Sequence, residues 1–221
     1  MKEFWVTESL KVFLQSIYGG IQLGYGIFRL SRLRGPIVTI FGGKLIDEEN
    51  KYAKQAHALA GQLVEKGFSI ITGGGPGIME AANCGAQEKK EKLGIKAECT
   101  LGIGVQRVDA EFENPCASLI RTRYFFSRKW LLMHYAVAIV VFPGGIGTVD
   151  ELFEILNLQK FKKRKLIPII LIGSNYWQEL IDWYDQAIRE GAILAEYKNM
   201  FMITDDLEKV ISLLTMQQKK E

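Results

Sequence analysis

The sequence predicts a single doubly wound α/β domain of the Rossmann type, with a mainly parallel sheet of about six or seven strands. Three observations carry this expectation. From Pro36 onward, short β-branched runs alternate with amphipathic helical patterns, as they do where helices cover both faces of a parallel sheet. The runs are apolar throughout rather than every second residue, which suits strands buried on both faces. Two glycine clusters each follow a run and open a helix, where such sheets place their ligand loops.

In chain order, strands are expected at 37–41, 68–72, 99–105, 137–142 and 166–172, with 200–203 as a sixth. A helix over 48–66 follows from the spacing of Tyr52, Ala56, Leu59, Ala60 and Leu63, and Gly67 supplies its C-terminal stop. Further helices are expected at 78–92, 123–136, 149–161, 177–189 and 207–214. Residues 1–35 read as an N-terminal helical extension of one or two packing helices. Residues 36–215 form the domain proper, and 216–221 a polar, frayed tail.

At 221 residues, 48% hydrophobic and 24% charged, the chain has the balance of one globular domain. Its net charge of +3 is spread along the sequence, which argues against nucleic acid as a partner. The basic run at 160–165 reads as a solvated helix end. The glycine-rich stretch at 10–33 is amphipathic and broken by Arg29 and Arg32, so it is expected neither to span a membrane nor to act as a signal peptide. Cys84, Cys99 and Cys116 form no close pair and no C-x-x-C, and are expected as free thiols in a reducing cytoplasm. With only His57 and His134, a multi-histidine metal site or a conventional nucleophile triad is not indicated, and no metal is expected. His134, among apolar residues, reads as a core or helix-end histidine.

The chemistry concentrates in the two glycine turns, G-G-G-P-G at 73–77 and G-G-I-G at 144–147. Glycines let backbone N–H groups approach a phosphate closely, and the helix that follows adds the positive end of its dipole. Gly74 and Gly75 in the first turn, and Gly144 to Gly147 in the second, are therefore candidate anion-binding positions. Neither turn has the third glycine of a dinucleotide fingerprint, since Ile78 and Asp150 occupy those places. Gly43-Lys44 is followed by Leu45, so there is no Walker A loop. Glu151 stands three residues after Thr148, which allows a capping box; a carboxylate there could equally face the sugar of a bound nucleotide. Arg128 lies among Tyr124, Phe125, Leu131, Leu132 and Tyr135. A guanidinium in such surroundings needs an anionic partner, either Glu151 or a ligand phosphate.

Taken together, T-G-G-G-P-G-I-M-E-A-A-N at 72–83, Y-F-F-S-R-K at 124–129 and P-G-G-I-G-T-V-D-E at 143–151 closely resemble the LONELY GUY family. These are the cytokinin-activating phosphoribohydrolases, long mislabelled as lysine decarboxylases. The resemblance covers about 36–214. It implies hydrolysis of the N-glycosidic bond of a nucleoside 5′-monophosphate, AMP or an N6-substituted AMP, to free base and ribose 5-phosphate without metal or organic cofactor. It also implies that Arg128 and Glu151 are the catalytic pair. Lys129, Gly145, Ile146, Gly147, Thr148, Val149 and Asp150 would line the substrate site, with Asn157 further along the helix and Glu111 as an additional glutamate. Family members pair into homodimers or larger assemblies, and the aromatic helix at 123–135 suits such an interface. The decarboxylase label would require pyridoxal phosphate on a lysine, and no lysine has an evident cofactor-binding context.

F-G-G-K at 41–44 stands where many relatives carry a serine-containing turn, so a different phosphate contact is expected there, and Y-F-F-S before Arg128 in place of the plant pattern places the chain nearer the larger bacterial branch. The rival expectation is a non-catalytic nucleotide-binding protein of the same fold, in which Glu151 only caps its helix. A partner-binding module would take no nucleotide at all.

Overall fold

The computed structural model describes residues 2–106, 113–163 and 166–218. Its sheet has seven strands: β1 (Ile37–Phe41), β2 (Ser69–Thr72), β3 (Thr100–Val105), β4 (Ser118–Thr122), β5 (Ala136–Val141), β6 (Ile169–Leu171) and β7 (Met202–Ile203). They pair in the order β4-β3-β2-β1-β5-β6-β7, every neighbour parallel. The helices are α1 (Lys2–Leu30), α2 (Lys51–Glu65), α3 (Ile78–Lys92), α4 (Phe125–His134), α5 (Ile146–Lys160), α6 (Ser174–Arg189) and α7 (Leu207–Gln218).

Alternate residues of each central strand feed two cores. Val38, Ile40, Ile70, Ala138, Val140 and Ile170 face α2, α3 and α7. Phe41, Ile71, Leu101, Ile103, Ile139 and Leu171 face α1, α4, α5 and α6. The doubly wound expectation thus holds, and strand order reverses between β1 and β5, the place where such a sheet opens a crevice at the strands' carboxyl ends.

Several expectations are corrected. β4 is not among the expected strands; it is an edge strand pairing only with β3, so it tolerates the polar Ser118 and Arg121 that break an apolar run. The N-terminal extension, expected as one or two helices, is one helix of 29 residues, in agreement with that expectation and seated by Gly26, where a Cβ would strike Leu131 of α4. The last helix continues to Gln218.

Cys84 and Cys116 are not free thiols but a disulfide, with Cα atoms 4.8 Å apart; among the described residues Cys99 is the free one, and it is buried. The reason is tertiary. Asn114 donates from Nδ2 to Asn83 Oδ1 (3.0 Å) and accepts the Cys116 amide on Oδ1 (3.0 Å), which sets Cys116 beside the residue that follows Asn83. A separation of 32 residues gave no hint of this.

Candidate active site

At the switch point the loops after β1 and β5 meet backbone to backbone. Gly43 N donates to Pro143 O at 2.9 Å, and a Cβ on Gly43 would lie 3.1 Å from Gly144 Cα. Above this floor opens a cleft of about 590 Å³, whose walls include Leu45, Ile46, Met79, Val105, Phe125, Arg128, Glu151 and Tyr176. One side of it is apolar, the other carries charge and backbone donors.

The backbone donors come from the second glycine turn. α5 starts at Ile146 with Gly145 as N-cap and no side-chain cap. Thr148 and Glu151 therefore do not form the capping box that their spacing allows. Thr148 already lies within the first turn, its own amide bonded to Gly145 O at 3.0 Å, because the helix starts before Gly147 rather than after it. Among the described residues, nothing accepts from the amides of Gly145, Ile146 or Gly147, which are the unpaired first-turn donors of α5. All three residues are exposed at the cleft, Ile146 at 91%. Open N–H groups at the positive end of a 15-residue helix suit an anion.

Relieved of capping, Glu151 is free for another role, and the structure gives it Arg128. Arg128 Nη1 donates to Glu151 Oε1 at 2.6 Å, and its Nε donates to Ile103 O at 2.9 Å. The two side chains are 14% and 8% exposed. Of the two partners open to Arg128 in the sequence, it takes the carboxylate. Burial pushes the Glu151 carboxyl above its usual range, while the Arg128 charge pulls the other way. A carboxylate whose proton affinity is raised and whose direction is fixed by a guanidinium can stabilise positive charge on a sugar or accept a proton from water.

Lys129 is tied down differently, with Nζ 2.7 Å from both Asp150 Oδ2 and Glu154 Oε2. Burial disfavours its charge, but the two carboxylates prevail and hold its pKa above the ordinary lysine value. A Schiff base to pyridoxal phosphate needs a neutral amine, so Lys129 does not fit that cofactor, and the other lysine on the cleft, Lys44, is exposed at its lip. Among the described residues no group of three or more His, Cys, Asp or Glu is placed to hold a metal.

The remaining expected site residues divide. Gly144, Gly145, Ile146, Gly147, Thr148 and Asp150 line the cleft with Arg128, Lys129 and Glu151. Val149 instead packs on the core. Asn157 lies in a neighbouring groove that shares Lys129 and Asp150 with the cleft. Glu111 falls outside the described residues.

Gly74 and Gly75 do not reach the cleft wall. The Gly74 amide donates to Thr72 Oγ1 at 3.0 Å, and Met79 covers this turn, since a Cβ on Gly73 or Gly75 would lie 2.8 Å from its side chain. The first turn serves as the bed of Arg128: a Cβ on Gly73 would strike Nη2. Met79 and Tyr176 were missed from sequence. Their position one turn into a helix that follows a strand at the crevice side is the signal that could have flagged them.

A family model described as "Possible lysine decarboxylase" matches residues 79–214. The chain belongs to that family. Relatives named for LONELY GUY activity agree with the motif reading. A protein of Oryza sativa subsp. japonica named "Probable cytokinin riboside 5′-monophosphate phosphoribohydrolase LOG4" is 27% identical over 189 residues, covering 82% of this chain and 78% of its own. The "Cytokinin riboside 5′-monophosphate phosphoribohydrolase" of Rhodococcoides fascians is 22% identical over 179 residues, covering 80% and 88%. The "Pyrimidine/purine nucleotide 5′-monophosphate nucleosidase" of Escherichia coli (strain K12) is 30% identical over 182 residues; the match covers 79% of this chain and 39% of that longer protein. Among solved structures, the molybdenum cofactor binding protein of Rippkaea orientalis superposes with a TM-score of 0.60 at 22% identity, over 83% of this family member and 97% of that chain. That likeness shows a shared fold.

Proposed function

We propose that this protein is a nucleoside 5′-monophosphate phosphoribohydrolase that cleaves AMP or an N6-substituted AMP to free base and ribose 5-phosphate. The observation that carries the reading is the buried Arg128–Glu151 pair standing one helical turn from three unpaired amides in the same cleft. The phosphate takes the amides of Gly145, Ile146 and Gly147 at the start of α5. The base takes the apolar wall of Leu45, Ile46, Met79, Val105 and Phe125. The sugar between them meets Glu151.

As the C1′–N bond breaks, its electron pair leaves with the base and positive charge builds on the ribose ring, which the Glu151 carboxylate stabilises. Water adds its hydroxyl at C1′ and gives its remaining proton to Glu151, which passes that same proton to the departing base, so nucleotide plus water balances base plus ribose 5-phosphate and the carboxylate is restored. Arg128 fixes the direction of the carboxylate and opposes its premature protonation. The phosphate takes no part in bond breaking; its binding energy positions the sugar.

The active form is a homo-oligomer. Support comes from α1, which carries no charged residue from Val12 to Phe28 and exposes Leu14, Ile17, Tyr18, Ile21, Tyr25 and Phe28. These lie on the side opposite its core-facing Leu23, Ile27 and Leu30, and a soluble protein buries a continuous apolar stripe of this kind. No helix among the described residues is long and apolar enough to cross a membrane.

The test is to incubate the pure protein with a panel of nucleoside monophosphates, including an N6-isopentenyl one, and with adenosine, and to separate the products chromatographically. Base is expected from AMP or its N6-substituted form with no added metal. Loss of two charge-assisted hydrogen bonds to phosphate should make adenosine about 10² to 10⁴ poorer in kcat/KM. Binding of AMP without base release would favour the non-catalytic nucleotide-binding reading.

A further inference from the structure

The loop that bears the unpaired amides is gripped by a side chain that belongs to none of the glycine or arginine motifs. Tyr176, in the first turn of α6, donates its hydroxyl to Gly144 O at 2.7 Å across 32 residues of sequence, and its ring forms part of the cleft wall. The start of α6 is itself anchored on both sides. Asp205 accepts from the amides of Gly173 (2.7 Å) and Ser174 (3.0 Å) and from the Ser174 hydroxyl, and the Trp177 indole donates to Ile172 O at 3.0 Å. Tyr176 is thus a rigid arm reaching from one crevice loop to another.

What it grips is the peptide unit between two glycines. A trans peptide is planar and its C=O and N–H point in opposite directions, so holding Gly144 O fixes where Gly145 N–H points. Without the grip this plane is the easiest in the loop to turn over. A flip changes φ of Gly145 from −84° by about 180°, into the left-handed region that glycine tolerates and other residues do not. The flipped plane would present a carbonyl oxygen in place of an N–H donor to whatever anion the loop holds.

We infer that Tyr176 is a positioning residue for anion binding: its hydroxyl on Gly144 O keeps the Gly144–Gly145 peptide oriented with the Gly145 amide available to the ligand's phosphate. The inference rests on the nucleotide reading of the cleft. It assigns to the tyrosine hydroxyl no contact with the reacting atoms, so the hydroxyl acts on phosphate affinity and leaves the chemical step alone.

The experiment is Tyr176→Phe, which keeps the ring and removes the hydroxyl. It is read by AMP and adenosine kinetics, by calorimetric affinity for AMP and for ribose 5-phosphate, and by melting temperature without ligand. KM and Kd for the phosphorylated ligands should rise about 3- to 10-fold, the range of one neutral hydrogen bond. The kcat on AMP and the kcat/KM on adenosine should stay within about 2-fold. Gly145→Ala supplies the control that a bracing role cannot imitate. A Cβ there meets nothing within 4 Å, and alanine resists the flipped φ, so in that background the Tyr176→Phe penalty should shrink below about 2-fold.

Equal losses on AMP and adenosine, unchanged affinity for both phosphorylated ligands, or the same penalty in the Gly145→Ala background would each overturn the inference. If the wild type binds AMP but releases no base, the hydrolase reading fails while the affinity arms still decide the role of Tyr176. If it binds neither AMP nor ribose 5-phosphate, both fail together.

Discussion

Glu151→Gln separates catalysis from stability. Glutamine keeps the shape and one acceptor oxygen but offers Arg128 no charge. Removing one partner of a buried ion pair costs about 3–5 kcal/mol. Arg128 retains its bond to Ile103 O and is 14% exposed beside an open cleft, so the loss here falls to about 1–3 kcal/mol. For a chain of this length 1 kcal/mol corresponds to about 2–4 °C, which sets the expected drop in Tm at about 2–12 °C. From a starting Tm of about 45 °C or above, a drop of this size leaves the variant folded at 25 °C. Turnover on AMP at that temperature should nevertheless fall on the order of 10² or more, as for removal of a positioned acid–base group. Calorimetry gives the first quantity and chromatographic detection of free base the second. Activity within a few fold of wild type, with the drop in Tm present, would refute the catalytic role and leave Glu151 as no more than the counter-ion of Arg128.

Three further outcomes are expected. Because burial raises the Glu151 pKa against the Arg128 charge, the acid limb of kcat/KM should lie above the ordinary glutamate value of about 4.3. It should move higher still in Arg128→Met, and a limb that stays or moves down contradicts the assignment. The same raised group favours folding fully below its unfolded pKa and loses that contribution as pH rises through the folded one. Cys84→Ser opens a loop of 32 residues and should cost about 3–4 kcal/mol on the chain-entropy account; thiol titration of the unfolded, unreduced wild type should count one free cysteine, and three would remove the disulfide from the argument. Ile21→Glu with Tyr25→Glu places charge in the exposed stripe of α1 and should lower the mass measured by light scattering to that of a protomer, whereas an unchanged mass would move the interface elsewhere.

The parts of the fold with an unbroken apolar pattern were legible. Ile37 to Phe41 and Ala136 to Val141 are continuous hydrophobic runs save Thr39, and the sequence reading lands on them to within a residue. β4 is illegible because an edge strand needs only one paired side, so Ser118 and Arg121 are physically acceptable and erase the signal.

At the site, the need of Arg128 for an anion was legible because a cation among apolar neighbours requires one, while the choice between Glu151 and a ligand phosphate stayed open until the structure placed the carboxylate against it. The capping box could not be judged, since Gly147 inside the first turn of α5 disguises where the helix begins. The glycines of the first turn were over-read. A glycine count does not reveal that the Thr72 hydroxyl already takes the Gly74 amide, and that hydroxyl is held in turn by Asn83, which bonds Thr100 as well. The place of Tyr176 at the crevice had a signal, but its bond to Gly144 had none, because that bond exists only once β5 and β6 stand side by side.

The meeting of Gly43 and Gly144 bears on how this cleft can change through evolution. A side chain on Gly144 would press on Gly43 N at 2.7 Å, and one on Gly43 would crowd Gly144 Cα at 3.1 Å. Neither position can drift without parting two loops that the sheet holds together, so mutation has no graded adjustment to offer there. Leu45 and Ile46 in the loop after β1, Met79 on α3 and Phe125 on α4 line the cleft outside that junction, and the exposed Leu45 and Phe125 are the freest to change. A lineage that adopts a new base is therefore expected to rewrite those four positions while the two glycines stand still.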